Sequence, residues 1–194
     1  MSEHLRAYES HIERVDLALA QEQWEQARAV LEELPFPWLR VLLASRCVAA
    51  EHGPLAALTY LAQHFEGLER NAHCWAWRGE LQQHCGALED AQCAYLRALE
   101  LDQELVEVWS NLALLRLELR QLPGAMDAMR SALKIDPECP NIRYNWGVVL
   151  RHTGQPEHAL LVFQALTELL PLQAWIQIGH LHRDQGLRSG SLLA

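Results

Sequence analysis

Three stretches of this chain repeat at a fixed interval of 34 residues, and that interval restricts the fold more than any other feature. Trp75 leads to Trp109, and Gly79 leads to Ala113 and Gly147. Ala91 leads to Ala125 and Ala159, Tyr95 to Met129 and Phe163, Ala98 to Ala132 and Leu166, and Leu101 to Ile135 and Leu169. Most columns keep their size class. The outliers are Leu166, in the column of Ala98 and Ala132, and Arg143, which stands where Trp75 and Trp109 set the column. A repeat of this period describes a unit that cannot bury its apolar face alone and does so against its neighbours.

Within one period the apolar spacing is helical. In the copy over 72–105, one helix is predicted over His73–His84 and a second over Leu88–Glu100, with Gly86 between them. Gly79 and Ala91 fall where the two helices of a pair would cross, so that backbones can approach. Trp75 and Tyr95 are expected to fill the gaps between successive pairs. Further copies span 106–139 and 140–171, and degenerate ones span 8–37 and 38–71. The first degenerate copy combines Ile12–Leu19 with a helix around Trp24, Ala27 and Leu31. The second combines Leu42–Glu51 with Leu55–Phe65. Trp175, Gly179 and Gly186 start one more helix over 172–186, with no second half visible before Ala194. Pro54, Pro123 and Pro156 each open a second helix, where a missing amide proton costs nothing. Pro35, Pro37, Pro137 and Pro171 are read as terminators. No strand-like alternation appears, so the fold class is all-α and one ordered domain over 1–194 is expected.

The chain resembles the tetratricopeptide repeat family. The residues that carry the resemblance are Trp75, Gly79, Gly86, Ala91, Tyr95, Ala98 and Asp102; Trp109, Leu112, Ala113, Ala125, Ala132, Asp136 and Pro137; and Gly147, Gly154, Ala159, Phe163 and Pro171. The resemblance implies a right-handed helical solenoid of about five antiparallel helix pairs plus a C-terminal single helix. It further implies that the first helix of each pair lines a concave surface.

On that surface the polar residues at the repeat interval are Asn111 and Asn145, with Gln177 two residues after Trp175 and Trp77 in the same column one copy earlier. An amide offers a donor and an acceptor, so a row of amides can hold an extended peptide backbone. The repeat arrays of O-GlcNAc transferases are similar in using an asparagine row this way. The alternative is that these amides bond locally between adjacent repeats. Leu114, Leu117, Tyr144 and Val148 form the expected apolar floor, unless Leu114 and Leu117 turn inward and only cover the core. Glu80, Glu107 and Glu118 form the expected acidic rim, with Arg151 and His152 at one end. Such a groove suits an amphipathic segment carrying Lys or Arg. The peptide-binding candidates are Asn111, Asn145, Leu114, Tyr144, Glu118 and Gln177. Co-chaperones of this family that grip a C-terminal carboxylate use Lys, Arg and Asn. Here the only lysine, Lys134, falls on a second helix, which argues against that clamp.

Composition narrows the alternatives. Net charge is −9, and 15 of the 16 basic residues are Arg. An acidic chain without a basic stripe repels phosphate backbones, so a nucleic-acid partner is not expected. No apolar run approaches a membrane span, and Glu3, Glu9 and Glu13 do not suit a signal segment, so a cytoplasmic location is expected. Five cysteines without a Cys-x-x-Cys pair fit reduced thiols, with Cys74, Cys85 and Cys93 expected in helix packing. His73 and Cys74 are echoed by His84 and Cys85, but eleven residues of helix are roughly 16 Å, too far for one ion. No metal, cofactor or enzyme motif is expected. Arg78 and Arg143 replace large apolar residues. Each is expected to lay its stem over Trp75 or Trp146, or else to contact an anion or pair with Glu80 or Asp90.

The expected function is a non-catalytic scaffold or adaptor binding a peptide or protein segment along the concave face. Two alternatives are the regulatory or substrate-recruiting part of an enzyme such as a glycosyltransferase or sulfotransferase, and a cytoplasmic secretion chaperone. A homodimer through Leu172, Ile176, Leu181 and Leu187 of the final helix is a further possibility.

Overall fold

The computed structural model describes residues 9–191, with side chains described for 10–184. Leu187 and Glu3 lie outside the described side chains. Among the described residues the regular structure is helical throughout, in eleven α-helices. Packing divides the chain into two compact units, with the division between Leu105 and Val106. That is the boundary between the copies over 72–105 and 106–139.

The first unit contains α1 (Glu9–Ala20), α2 (Trp24–Glu32), α3 (Pro37–His52), α4 (Pro54–Gln63), α5 (Ala72–His84) and α6 (Leu88–Leu101). The second contains α7 (Val106–Glu118), α8 (Leu122–Ile135), α9 (Pro140–His152), α10 (Pro156–Ala165) and α11 (Pro171–Ser191). Within the units, the pairs α1/α2, α3/α4, α5/α6, α7/α8 and α9/α10 pack together, and each first helix also lies against the pair before it in its own unit. This is the five-pair arrangement with a single final helix that the period implies.

The columns of the repeat become layers of the core. Ala91, Ala98, Ala125, Ala132 and Ala159 are fully buried, as are Met129 and Phe163, with Tyr95 at 1% exposure. Tyr95 does not fill a gap between pairs. Its ring lies over Gly79 of its own pair, so close that a Cβ on Gly79 would sit 2.7 Å from the ring. Phe163 lies over Gly147 at the same 2.7 Å. In the middle copy the same two columns hold Ala113 and Met129, both fully buried, and an unbranched side chain can bend around a methyl group. Glycine and aromatic, or alanine and methionine, are therefore two solutions for one volume. Trp75 is half-buried at the edge, edge-on to Phe65 with centroids 5.0 Å apart.

Turns repeat as well. The helices of a pair are joined through a left-handed residue at Gly86 (φ +78°), Arg120 (φ +59°) and Gly154 (φ +80°), spaced by 34. Asp102 and Asp136 close the other connection, where their carboxylates accept from the backbone N–H of Glu104 and of Glu138 and Cys139.

The structure corrects several boundaries. Pro54, Pro123 and Pro156 do open second helices. Pro37 and Pro171, read as terminators, are instead the first residues of α3 and α11. A proline suits the first helical turn as well as it suits the residue after a helix, and neighbouring sequence does not separate the two. Gly186 does not end the last helix, which continues to Ser191. Leu181 is 1% exposed, not part of an outward face, because Ala174, Ile178 and Leu181 form the stripe that packs inward. Cys85 and Cys93 are exposed, whereas Cys47 and Cys74 are buried.

Candidate binding groove on the first helices of the second unit

The first helices of the second unit, α7 and α9, lie side by side. Their facing positions, four residues or one turn apart, leave an open groove of about 390 Å³. Leu114 and Leu117 from α7 and Val148 from α9 form its floor; Glu118, Arg120 and His152 form its rim. Leu114, Leu117 and Val148 are half-buried and line the groove, and Val148 also packs against the core cluster of Leu150, Ala159 and Phe163. The rim differs from the acidic one expected. It carries both signs, because the residue after α7 that makes the left-handed turn is a guanidinium at Arg120 and not a glycine.

His152 has its pKa lowered, first by burial and then by the guanidinium groups of Arg151 and Arg120, against a weaker pull from Asp184. Arg151 is the hub of this end. Its guanidinium donates to the Gln177 side-chain oxygen at 2.5 Å, and lies 3.3 Å from His180 Nδ1 and 3.3 Å from His152 Nε2. The arginine beside His152 disfavours a second positive charge there, in line with its lowered pKa.

The predicted amide column is spent largely on joining helices. Asn145 Nδ2 donates to Ser110 Oγ at 2.9 Å, from α9 to α7. Gln177 Nε2 donates to the Tyr144 hydroxyl at 2.8 Å, from α11 to α9. Trp77, in the same column, donates to Ser45 Oγ at 3.0 Å, from α5 to α3, and Ser45 in turn donates to the Ala57 carbonyl. Asn111 is half-buried on α7 and has a partner. Of the six candidates, Leu114 and Glu118 line the groove. Tyr144, Asn145 and Gln177 are tied into the contacts between first helices, and Tyr144 also packs on Phe163 with centroids 5.6 Å apart.

Arg120 is the residue that sequence reasoning missed. Its signal was present: it occupies the position of Gly86 and Gly154, so a side chain there is held in a backbone conformation that favours glycine. A second depression, of about 380 Å³, belongs to the first unit and is lined by Phe36, Trp38, Asn71, His73 and Asp102 among others, with Trp38 and His73 stacked at 6.2 Å. Of its residues only Leu101 and Asp102 belong to repeating positions; Phe36, Trp38, Asn71 and His73 come from helix starts that the repeat pattern does not mark.

The two outlying arginines have separate explanations. The Arg78 guanidinium lies over Trp75 and Phe65, 5.2 Å and 5.3 Å from the ring centroids. Arg143 bonds the Pro137 carbonyl and pairs with Glu138, not with Glu80 or Asp90. Among the described residues no group of three His, Cys, Asp or Glu could hold a metal ion, and no helix is long and apolar enough to cross a membrane.

Comparison with known proteins bears on the fold. No protein-family model matches the chain. The human protein O-mannosyl-transferase TMTC3 is 33% identical over 79 residues, which is 40% of this chain but only 9% of that protein's length. A tetratricopeptide repeat protein from Parabacteroides merdae superposes with a TM-score of 0.73 over 97% of this chain and 77% of its own, at 16% identity. A chain of the APC/C hetero-tetramer Cut9–Hcn1 gives 0.73 over 86% of this chain and 34% of its own, at 17% identity. Together with the repeat columns, the helix pairs and the turns on the 34-residue period, these likenesses show that the chain has the all-α tetratricopeptide repeat fold.

Proposed function

We propose that this chain is a protein-interaction scaffold that holds a peptide or protein segment in the groove between α7 and α9. The observation that carries the reading is the open apolar floor of Leu114, Leu117 and Val148 between charged rims. Apolar side chains left half-exposed on two adjacent helices favour an occupant that buries them, and the charged rim selects its orientation. A rigid groove leaves most of the ordering cost on the ligand. The neighbour in the Cut9–Hcn1 hetero-tetramer supports the same use of the fold, since that protein assembles with a partner chain.

The amides contribute less than the apolar floor in this reading, because the Asn145 and Gln177 donors already serve the array. The test is comparative capture from source cytosol with a photo-crosslinker placed at Leu117, followed by competition with the recovered segment as a synthetic peptide. The peptide should bind the native chain and lose at least roughly tenfold in affinity for Val148→Asp, since one buried aliphatic side chain is worth about 1.5–3 kcal/mol. Equal affinity for native and variant, both folded, sinks the proposal.

A second reading has the array recruit substrate for a transferase, either on another chain or in the same reading frame. The 79-residue match to TMTC3 favours it. Transferase activity that co-purifies with the chain and is lost for Val148→Asp supports it; a groove ligand that is no transferase substrate counts against it.

A further inference from the structure

In each clear repeat, the fourth residue after the Trp75, Trp109 or Arg143 column is small, and in two of the three it receives a ring from the second helix of its own pair. Gly79 receives Tyr95 and Gly147 receives Phe163, and in the middle copy the same two columns hold the fully buried Ala113 and Met129. The final helix repeats the motif, with Trp175 followed four residues later by Gly179. Here the slot is open. A Cβ built on Gly179 meets nothing within 4 Å, and the residue is exposed. The helix runs on past the position where the earlier first helices turn back, so among the described residues no second helix covers it.

The slot lies in an apolar stripe. Leu172, Trp175 and Ile176 are 71%, 62% and 47% exposed, and they stand on the face of α11 opposite the buried Ala174, Ile178 and Leu181. This face continues the first-helix surface that α9 presents to α10. It therefore has both parts of an interdigitating contact: a hole at Gly179 and a bulky knob at Trp175, one helical turn or about 6 Å apart. Knob and hole on a single helix face are self-complementary. Two copies related by a two-fold axis, with their α11 helices antiparallel, place each Trp175 over the other's Gly179 in a closed, isologous contact. The same pairing sets Leu172 opposite His182 and brings Arg183 toward the end of α11 that follows Glu168, both of them exposed.

We infer that the chain forms a homodimer through this face of α11, with Trp175 of each copy seated in the Gly179 slot of the other. The contact takes the place that a second helix of the same chain takes in the earlier repeats. It is separate from the groove between α7 and α9, so the two can fail independently.

Sedimentation equilibrium of the 194-residue chain tests it. The native protein should show a monomer–dimer equilibrium. Gly179→Leu, which plugs the hole, and Trp175→Ala, which removes the knob, should each raise the dimer dissociation constant by more than about tenfold. At concentrations where the native chain is monomeric, Gly179→Leu should keep or raise the melting temperature, because its added atoms enter open space on a helix. Trp175→Ala reads the same contact should the first variant fold poorly. A native chain that stays monomeric at every concentration overturns the inference and leaves the face to a helix of another protein. A dimer of unchanged strength in both variants also overturns it, by placing the contact elsewhere.

Discussion

At the scale of single residues, the repeat columns work through volume. Gly79 and Gly147 are helical, so alanine would ordinarily stabilise by up to about 1 kcal/mol. Here the added methyl would lie 2.7 Å from a buried ring of Tyr95 or Phe163. Overpacking of this kind costs about 1–3 kcal/mol, which exceeds the propensity gain. Gly147→Ala should therefore lower the urea midpoint. Gly147→Ala combined with Phe163→Met should recover much of the loss, because it reproduces the Ala113 and Met129 solution of the middle repeat. An unchanged midpoint for the single variant would mean that the ring moves freely. Arg120 gives the opposite case. A non-glycine residue in the left-handed region is strained, so Arg120→Gly should stabilise by about 1 kcal/mol while weakening any ligand that meets the rim. Stability that rises as affinity falls would mark Arg120 as kept for binding. His152 adds a dependence on pH. Its pKa is lowered in the folded chain, mainly by burial, so its contribution is present above the ordinary histidine value of about 6.5. That contribution is lost as the pH falls through the folded value. Urea midpoints on either side of that range should differ less for His152→Gln than for the native chain; an equal difference would place the effect on other groups.

At the scale of helices, the fold depends on bonds between successive first helices as well as on the packing of pairs. Ser45 is the clearest instance. It is fully buried on α3, accepts from the Trp77 indole of α5 and donates to the Ala57 carbonyl of α4. Ser45→Ala removes both bonds and leaves the indole N–H without this partner, so a loss of about 1–3 kcal/mol is expected from denaturant unfolding. Ser110→Ala should cost less, because it removes one bond, from the Asn145 amide, where Ser45→Ala removes two. Equal losses would show that the stitch acts through backbone placement and not through the hydrogen bonds. These stitches explain why part of the candidate site was illegible in the sequence. The 34-residue spacing of Asn111 and Asn145 is visible in one dimension, but a ligand row and an inter-helix stitch have the same spacing. Only the position of Ser110 one residue before Asn111, under the next helix, distinguishes them. Helix ends were unclear for a similar reason. Pro171 and Gly186 have the residue types of boundaries, yet α11 starts at the first and runs through the second, because the inward stripe of Ala174, Ile178 and Leu181 keeps it anchored.

At the scale of the whole molecule, the period made the helix pairs and their core columns readable, since burial of Ala91, Tyr95 and Ala98 follows directly from their recurrence. The cysteines were not readable, because none lies in a repeating column. The structure sorts them: Cys47 and Cys74 are buried, Cys85 and Cys93 exposed, and Cys139 intermediate. Burial pushes the Cys74 thiol up to about 12 and raises that of Cys47 as well. The thiolate is the reactive form, so a buried thiol with a raised pKa is protected twice, by access and by protonation. Labelling of the native chain with an aromatic disulfide reagent should therefore modify Cys85 and Cys93 quickly, Cys139 more slowly, and Cys47 and Cys74 only through opening of the structure. The rate at the two buried sites should rise steeply with urea, as expected when access requires cooperative exposure of the core, and the rate at the exposed sites should not. Cys47 lies on α3 and Cys74 on α5, so equal urea slopes at the two would mean that these helices open together, and unequal slopes that the pairs of this unit open one by one, as a repeat stabilised by its neighbours permits. Rapid labelling of Cys74 without denaturant would contradict the packing of α5 that positions Gly79 against Tyr95.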